Sequence, residues 1–463
     1  MPETSAGRVP RSVCQENHRF RSGRKRGYCM LYCITTSFIR KSAIFLHAPR
    51  AVPPSPCSCY YPGRMNIIEI TAKSLLRKQK QVDAWFCSAY GMNIYRGCAH
   101  NCAYCDGRAE TYQVEGDFGS DISVKVNAPE LLRRELDPAG KRKPMKRTYI
   151  FIGGGVNDAY QPAEEKYRLT RRALEIILGY GLHVHVLTKS VLVERDIDIL
   201  LKINKAQSAG YNARAVVSFS FSSADDKISR VFEPGVPPPS RRFSAIKRLK
   251  DAGLYCGIYL MPVLPFITDY PEQIEAVFKA GTEAGADFLV FGGLTLKEGR
   301  QKEYFLQALR RFSGAAGDLI AGAGDLPLQY DVIYPGDPYK PGSSYGNARP
   351  DYCSLLNEVV FTVARRHRLP LRMPPALFRG IMDENDRIAV MLEHMDYFHR
   401  ARGHKSTFGW AARKVRELEA PASAMGNRLR SVSGIGPATA DIIGEILATG
   451  TSVKYEKLLY GSM

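Results

Sequence analysis

The chain has 463 residues, 45% of them hydrophobic and 24% charged, the balance of a soluble globular protein with room for one large and one or two small domains. No apolar run reaches transmembrane length, and 11 cysteines, an odd number, are too sparse for a disulfide framework and point to a reducing, cytoplasmic setting. Of the formal net charge of +19, residues 1–64 supply +9 (11 Lys and Arg less 2 Asp and Glu), leaving +10, which suits a polyanionic partner or simply a solvated basic surface.

Residues 1–64 mix basic clusters, prolines and five cysteines, and read as a disordered leader or as a start assigned too far upstream; Met65 opens a more ordinary beginning. A strand is expected just before Tyr95-Arg-Gly-Cys98-Ala-His-Asn-Cys102-Ala-Tyr-Cys105. Cys98, Cys102 and Cys105 lie at C-x3-C-x2-C spacing in a loop too irregular for a helix or buried strand, so three thiolates can curl around one centre. Thiolates suit iron–sulfur clusters or zinc. Zinc could recruit His100 as a fourth ligand, but no second C-x2-C knuckle follows, and three cysteines without a fourth suit a cubane with one open iron.

From Tyr149 the pattern alternates. Strands are expected at Tyr149–Ile152, His183–Leu187, Ala215–Ser220, Cys256–Met261 and Asp287–Phe291, and helices at Ala163–Leu178, Leu192–Ile203, Ser240–Ala252, Pro271–Ala284 and Gln301–Phe312. Near-continuous apolar strands alternating with amphipathic helices mean a parallel sheet, and with the strand before the cysteines they make about six β/α units. The fold class is α/β, as a partial (β/α)6 barrel or an open doubly wound sheet, spanning residues 65–330. Chemistry collects after such strands. There stand Gly154, Gly155, Asn157 and Asp158, then Lys189, then Ser218 and Ser220, each also readable as an ordinary turn, cap or small inward residue.

With Tyr104 before the last cysteine, the motif resembles the radical S-adenosylmethionine (SAM) enzymes. Asn157-Asp-x-Tyr-Gln-Pro162, Leu187-Thr-Lys189, Phe232-Glu-Pro-Gly235 with Arg241-Arg242, and Met261-Pro-Val-Leu-Pro265 are similar to the spore photoproduct lyase-like branch over residues 80–310. The resemblance implies a [4Fe–4S] cluster on the three cysteines and SAM on its open iron, with a reductant such as flavodoxin or ferredoxin. It also implies that Tyr104 and Gly154 to Asp158 lie beside the cofactor, that Lys189 meets the SAM carboxylate, and that Ser218 or Ser220 meets the sugar. Spore photoproduct lyase carries a hydrogen-donor cysteine a few dozen residues past the cluster. This chain has none between Cys105 and Cys256, leaving Tyr160, Tyr259 and Cys256 as candidate donors.

Residues 331–403 read as a helical extension with helices at 351–366 and 383–399, on which His394 and His399 are expected at the surface. Residues 404–463 hold Ser433-Gly434-Ile-Gly436-Pro437-Ala-Thr439, which resembles a helix-hairpin-helix. Gly434, Gly436, Thr439 and Lys454 are its candidate phosphate contacts, since a helix N-terminus holds phosphate without reading a base; a packing αα-hairpin is the plainer reading. The expectation is a cytoplasmic radical SAM enzyme on damaged or modified DNA, with RNA, protein or a small molecule as other substrates. The remaining alternative is a nucleic-acid-binding protein with a structural cluster.

Overall fold

The computed structural model describes residues 65–140, 144–154, 157–208, 211–212, 214–315, 325–336 and 346–462; the leader 1–64 and Gly155 fall outside that range. All described residues belong to one compact unit. The first strands are β1 (Asn66–Ile70), β2 (Leu76–Asp83), β3 (Ser88–Met92), β4 (Tyr95–Arg96) and β5 (Asp121–Lys125), followed by helix α1 (Ala128–Leu136). Next come β6 (Tyr149–Ile152), α2 (Ala163–Tyr167), α3 (Leu169–Gly179), β7 (His183–Thr188), α4 (Ile197–Lys205) and a short hairpin, β8 (Gln207–Ser208) with β9 (Tyr211–Asn212). The barrel ends with β10 (Ala215–Phe221), α5 (Asp226–Phe232), α6 (Pro239–Asp251), β11 (Tyr255–Val263), α7 (Pro271–Glu283), β12 (Phe288–Gly293) and α8 (Arg300–Ala315).

The main sheet runs β12-β11-β10-β7-β6-β3-β2. From β12 to β3 the six strands pair parallel, and β2 is antiparallel to β3 at one edge. The sheet is a curled half-barrel, and the interior rings show the curl. Phe86 stacks on Phe151 of β6 at 4.2 Å and on Tyr259 of β11 at 5.4 Å. In a flat sheet those two strands, three places apart, would be roughly 14 Å from each other. Phe86 rides on the β2–β3 turn and so plugs the barrel where the parallel strands begin.

Each strand is apolar on both faces because helices cover the outside while the rings fill the inside; Val184, Val186, Val216, Val217, Ile258 and Val290 are fully buried. The expected helix over 163–178 divides in two at Arg168, which takes a left-handed φ of 50°. There the Glu164 carboxylate accepts from the Thr170 amide at 2.9 Å and from the Tyr95 hydroxyl at 2.5 Å, so α2 ends to serve the cysteine loop.

The later helices are α9 (Leu326–Ile333), α10 (Pro350–His367), α11 (Pro375–Phe378), α12 (Glu384–Ala401), α13 (Phe408–Arg416), α14 (Ala422–Met425), α15 (Pro437–Thr449) and α16 (Val453–Leu459). From residue 369 onward they dock on the end of the barrel where the strands start. Tyr149 Oη donates to Leu377 O at 2.7 Å, and Arg416 Nη2 donates to Val82 O at 3.2 Å. His394 corrects the expectation of a surface residue. It is 1% exposed, bonded to the Ala84 carbonyl at 2.7 Å and to the Tyr455 hydroxyl at 2.8 Å, so it ties α12, α16 and the β2–β3 turn together. His399 is half-buried. No helix among the described residues is long and apolar enough to cross a membrane.

Candidate active site

A second sheet, β1-β5-β4, carries the cysteine loop. The loop leaves β4 through Gly97 at φ +72°, where a Cβ would stand 2.4 Å from the Asp121 carbonyl, so the turn requires glycine. Gln161 then clamps the loop from both sides, donating to Gly97 O at 3.1 Å and accepting from the Ala99 amide at 3.0 Å. Cys98 N donates to Phe118 O at 2.9 Å, and Ala103 N to Phe232 O at 2.7 Å. Arg108 bonds Asn101 and the Cys102 carbonyl and lies 3.5 Å over the Tyr304 ring, which holds the loop's far side.

These clamps gather three free thiols. Cys98 and Cys102 are buried, and Cys105 is half-buried against the apolar patch of Val114 and Phe118. Burial pushes all three thiols up; at Cys98 the Asp158 carboxylate and then the other two cysteines add to it, and at Cys102 Glu233 and Cys105 do. Clustered thiolates in so dry a place call for cationic iron between them. Among the described residues no three His, Cys, Asp or Glu side chains converge on the position of one ion. A cubane asks for less convergence, since each cysteine binds a different iron.

Behind the thiols is a buried hub at Glu233, on the turn after α5. Its Oε1 accepts from the Tyr104 hydroxyl, from Ser222 Oγ at 2.9 Å and from Lys189 Nζ at 3.3 Å. Its Oε2 accepts from Ser229 Oγ at 2.9 Å and pairs with Arg242 at 2.5 Å. Burial alone would raise this carboxyl, but Arg242, then Lys189 and the hydrogen bonds, hold it far below the usual carboxylate range. Lys189 Nζ also donates to Ser220 Oγ at 2.8 Å and lies 5.4 Å over the Tyr104 ring. Cofactor candidates Tyr104, Lys189 and Ser220 therefore meet at one point beside Cys102.

A neighbouring cluster forms on Asp158. Its carboxylate accepts from Thr188 Oγ1 at 2.7 Å and from the amides of Tyr160 and Lys189 at 2.8 Å each, and stands 3.4 Å from His100 Nδ1. Burial would raise this carboxyl, yet His100 and the donated hydrogen bonds bring it below its ordinary value. His100 Nε2 and Asn157 Nδ2 are buried without a protein partner. Unpartnered buried polar atoms beside three thiols mark room for a polar ligand. Gly154 lies on the turn after β6 with φ +88°.

Ser218 sits deeper in β10, its Oγ 2.9 Å from His185 Nε2 inside the barrel. None of the three donor candidates is bonded to a thiol of the loop. Tyr160 donates to Asp196 at 3.1 Å, Tyr259 to the Trp85 carbonyl at 2.7 Å, and Cys256 is fully buried near the start of β11, at the opposite end of the strand. Half-buried Cys353, on the first turn of α10, is instead on the side of the loops that follow the strands, since Tyr352 beside it donates to Asp269 at 3.0 Å. Sequence reasoning quoted Glu233 and Arg242 within motifs but gave them no role. No periodicity marks a turn carboxylate.

In the tail, a 3-10 turn (Gly426–Ser431) leads through Gly434, at φ +93°, to Gly436 as N-cap of α15. Gly434 packs on Trp410 and Lys414, where a Cβ would lie 2.3 Å from the indole nitrogen. Gly436 is exposed, Thr439 is buried, and Lys454 lies 5.1 Å over the Phe408 ring. These residues belong to the helical layer that covers the start of the strands, the side opposite the cysteine loop.

Comparison with known proteins agrees with the geometry. The model of the radical SAM superfamily matches residues 92–281. An uncharacterized protein of Mycobacterium tuberculosis is 30% identical over 305 residues, 65% of this chain and 81% of its own length. An uncharacterized protein of Methanocaldococcus jannaschii is 29% identical over 247 residues, 53% of this chain and 84% of that one. Among solved structures, a spore photoproduct lyase variant with bound AdoMet and dinucleoside spore photoproduct is 16% identical, covering 69% of this chain and 85% of that one, with a TM-score of 0.48. The superfamily uses a [4Fe–4S] cluster and SAM, which the three dry thiols and the unpartnered polar atoms beside them fit. With its cysteine loop clamped at the mouth of a parallel half-barrel, the chain belongs to the radical SAM superfamily.

Proposed function

We propose that the enzyme acts by hydrogen abstraction on nucleic acid, most directly on a damaged or modified position in DNA. Cys98, Cys102 and Cys105 would hold the cluster, and when bound it would supply the one-electron cleavage of SAM that lets a hydrogen atom be taken from substrate. The single observation that carries the chemistry is the meeting of Lys189, Ser220 and Tyr104 beside the buried thiols. Lys189 offers an ammonium to the SAM carboxylate while Glu233 and Ser220 fix its position. The Asn157 amide and the unpartnered His100 nitrogen offer donors to other polar groups of the same ligand. Burial of the loop keeps water away from a reactive centre.

The nucleic-acid part rests on the tail. The turn from Ser431 to Gly436 is largely exposed, and Arg428 and Arg430 stand on the 3-10 turn just before it. Such a hairpin holds phosphate in any sequence, and its affinity would fall with salt. A cytoplasmic reductant such as flavodoxin or ferredoxin would supply the electron.

The test is anaerobic reconstitution, reduction, addition of SAM, and measurement of 5′-deoxyadenosine with and without duplex DNA. The expected result is product that rises with DNA and disappears in Cys98→Ala, Cys102→Ala and Cys105→Ala, each of which binds less iron. A reducible four-iron protein that never cleaves SAM would refute the enzyme reading. Cleavage indifferent to DNA and RNA would refute the substrate class alone.

A further inference from the structure

Away from the thiols, a cavity of about 240 Å³ opens between β2, the turn after it, the connector following α10, and α12. Helix α12 lies across the interval between the two edge strands of the half-barrel. It touches β12 through Tyr397 and Phe291, and the β2–β3 turn through His394. The cavity walls include Gln79, Gln81, Asp83, Trp85, Arg372 and Tyr397.

Arg372 is the anomaly. It is 1% exposed, yet no carboxylate forms an ion pair with it among the described residues. Its guanidinium lies 4.4 Å over Trp85 and 4.0 Å over Tyr397, and Nη1 donates to its own neighbour, Leu371 O, at 2.7 Å. Nη2 has no partner. Ring contacts offset part of the cost of burying this cation, but a donor left idle in the interior is destabilising. Opposite in character is Asp83, whose Oδ1 is taken by the amides of Trp85 and Phe86 at 2.7 and 3.0 Å, leaving Oδ2 for a ligand. Gln79 and Gln81 supply amides that can donate or accept.

Charge decides the ligand class. Glu393, also at the wall, is engaged with Arg416, so the remaining lining charges are one guanidinium and one carboxylate. A free anion would gain from Arg372 and lose to Asp83 and Glu393, and a cation the reverse. A neutral group with a carbonyl next to an N–H satisfies both, the carbonyl accepting from Arg372 and the N–H donating to Asp83. The volume is below that of sites for drug-sized ligands and admits one flat heterocycle with some water. We propose that this cavity binds a single nucleobase by its lactam edge, as guanine, uracil and thymine present it. The site is separate from the cofactor site, and its existence does not depend on the substrate proposed above.

The chain has 2 tryptophans, and Trp85 lines the cavity while Trp410 is 51% exposed on α13. In the reconstituted Trp410→Phe protein, Trp85 is therefore the sole indole reporter. Titration with guanosine, uridine and thymidine should change its emission saturably, with adenosine, which lacks the lactam edge, at least tenfold weaker. Arg372→Met should weaken guanosine binding at least tenfold, and Gln81→Ala, at an exposed edge-strand position, severalfold. Should Arg372→Met not fold, Gln79→Ala and Gln81→Ala decide: affinity equal to that of the parent would overturn the proposal. So would the absence of saturable change with every nucleoside, which would mean a cavity holding water only, or adenosine binding as tightly as guanosine.

Discussion

The Glu233 hub makes a quantitative prediction, because both members of its central pair are completely buried. Glu233→Ala leaves Arg242 with no carboxylate and Lys189 with only Ser220, and strips an acceptor from Tyr104, Ser222 and Ser229. Breaking a buried pair from one side costs about 3–5 kcal/mol, since the surviving charge stays dry. With an unfolding entropy near 2.1 cal/mol/K per residue over roughly 400 residues, 4 kcal/mol lowers the midpoint of thermal unfolding by about 5 °C. Arg242→Met should cost a similar amount, because Glu233 then keeps only the partial charge compensation of Lys189. Removing both, as Glu233→Ala with Arg242→Met, should cost less than the sum of the two single changes by at least about 2 kcal/mol. The assay is calorimetry on anaerobically reconstituted protein, with iron content measured in parallel because Tyr104 belongs to the cysteine loop. Additive single changes, or a shift below about 1 °C for Glu233→Ala, would refute the idea that this pair locks loop and strand ends together.

Two further outcomes follow from placement. Cysteines and hairpin lie beyond opposite ends of strands of about six residues, roughly 20 Å or six base pairs before the loops at either end are added. DNA of about four base pairs should therefore leave 5′-deoxyadenosine formation unchanged, and about fifteen or more should raise it; equal stimulation by both would mean the hairpin does not guide the substrate. Burial pushes the Asp269 carboxyl up to about 6, against hydrogen bonds from the Phe266 region and Tyr352. A folded pKa above the unfolded one means that the native state holds the proton more tightly, so stability is full below about pH 4 and declines as pH rises to 6. Discounted for its partial exposure, the loss is about 1–3 kcal/mol. Asp269→Asn should raise the unfolding midpoint at pH 8 and leave it unchanged at pH 4, and an effect of equal size at both would refute the assignment.

What the sequence made legible was whatever repeats or has a spacing. Five of the six parallel strands showed as apolar runs because a buried strand has no polar face to interrupt it, and their helices showed by their period. The cysteine loop was legible for the opposite reason, as a pattern too dense to be chance and too irregular to be an element. Arg168 was not legible: nothing in Ala163–Leu178 breaks helical spacing, and the division comes from Glu164 being drawn to Tyr95, a contact across 69 residues. The same holds for β1, β4 and β5, which are too short or too polar to show a strand pattern and exist because they pair with one another.

His394 carries the argument furthest. On a helical wheel His394 falls between Val390, Met391 and Phe398, about 100° or more from Glu393, Asp396 and Arg400, so its helical spacing already sets it on the buried face of α12. Once there, both ring nitrogens find partners, the Ala84 carbonyl and the Tyr455 hydroxyl, and burial drives its pKa down to about 3. It therefore stays neutral and serves as a fixed tie between the β2–β3 turn and the last helix. That tie closes the end of the barrel away from the cysteines and places the hairpin on the far side. If the tail holds nucleic acid as proposed, this separation from the cysteines is what would make the length of the strand matter.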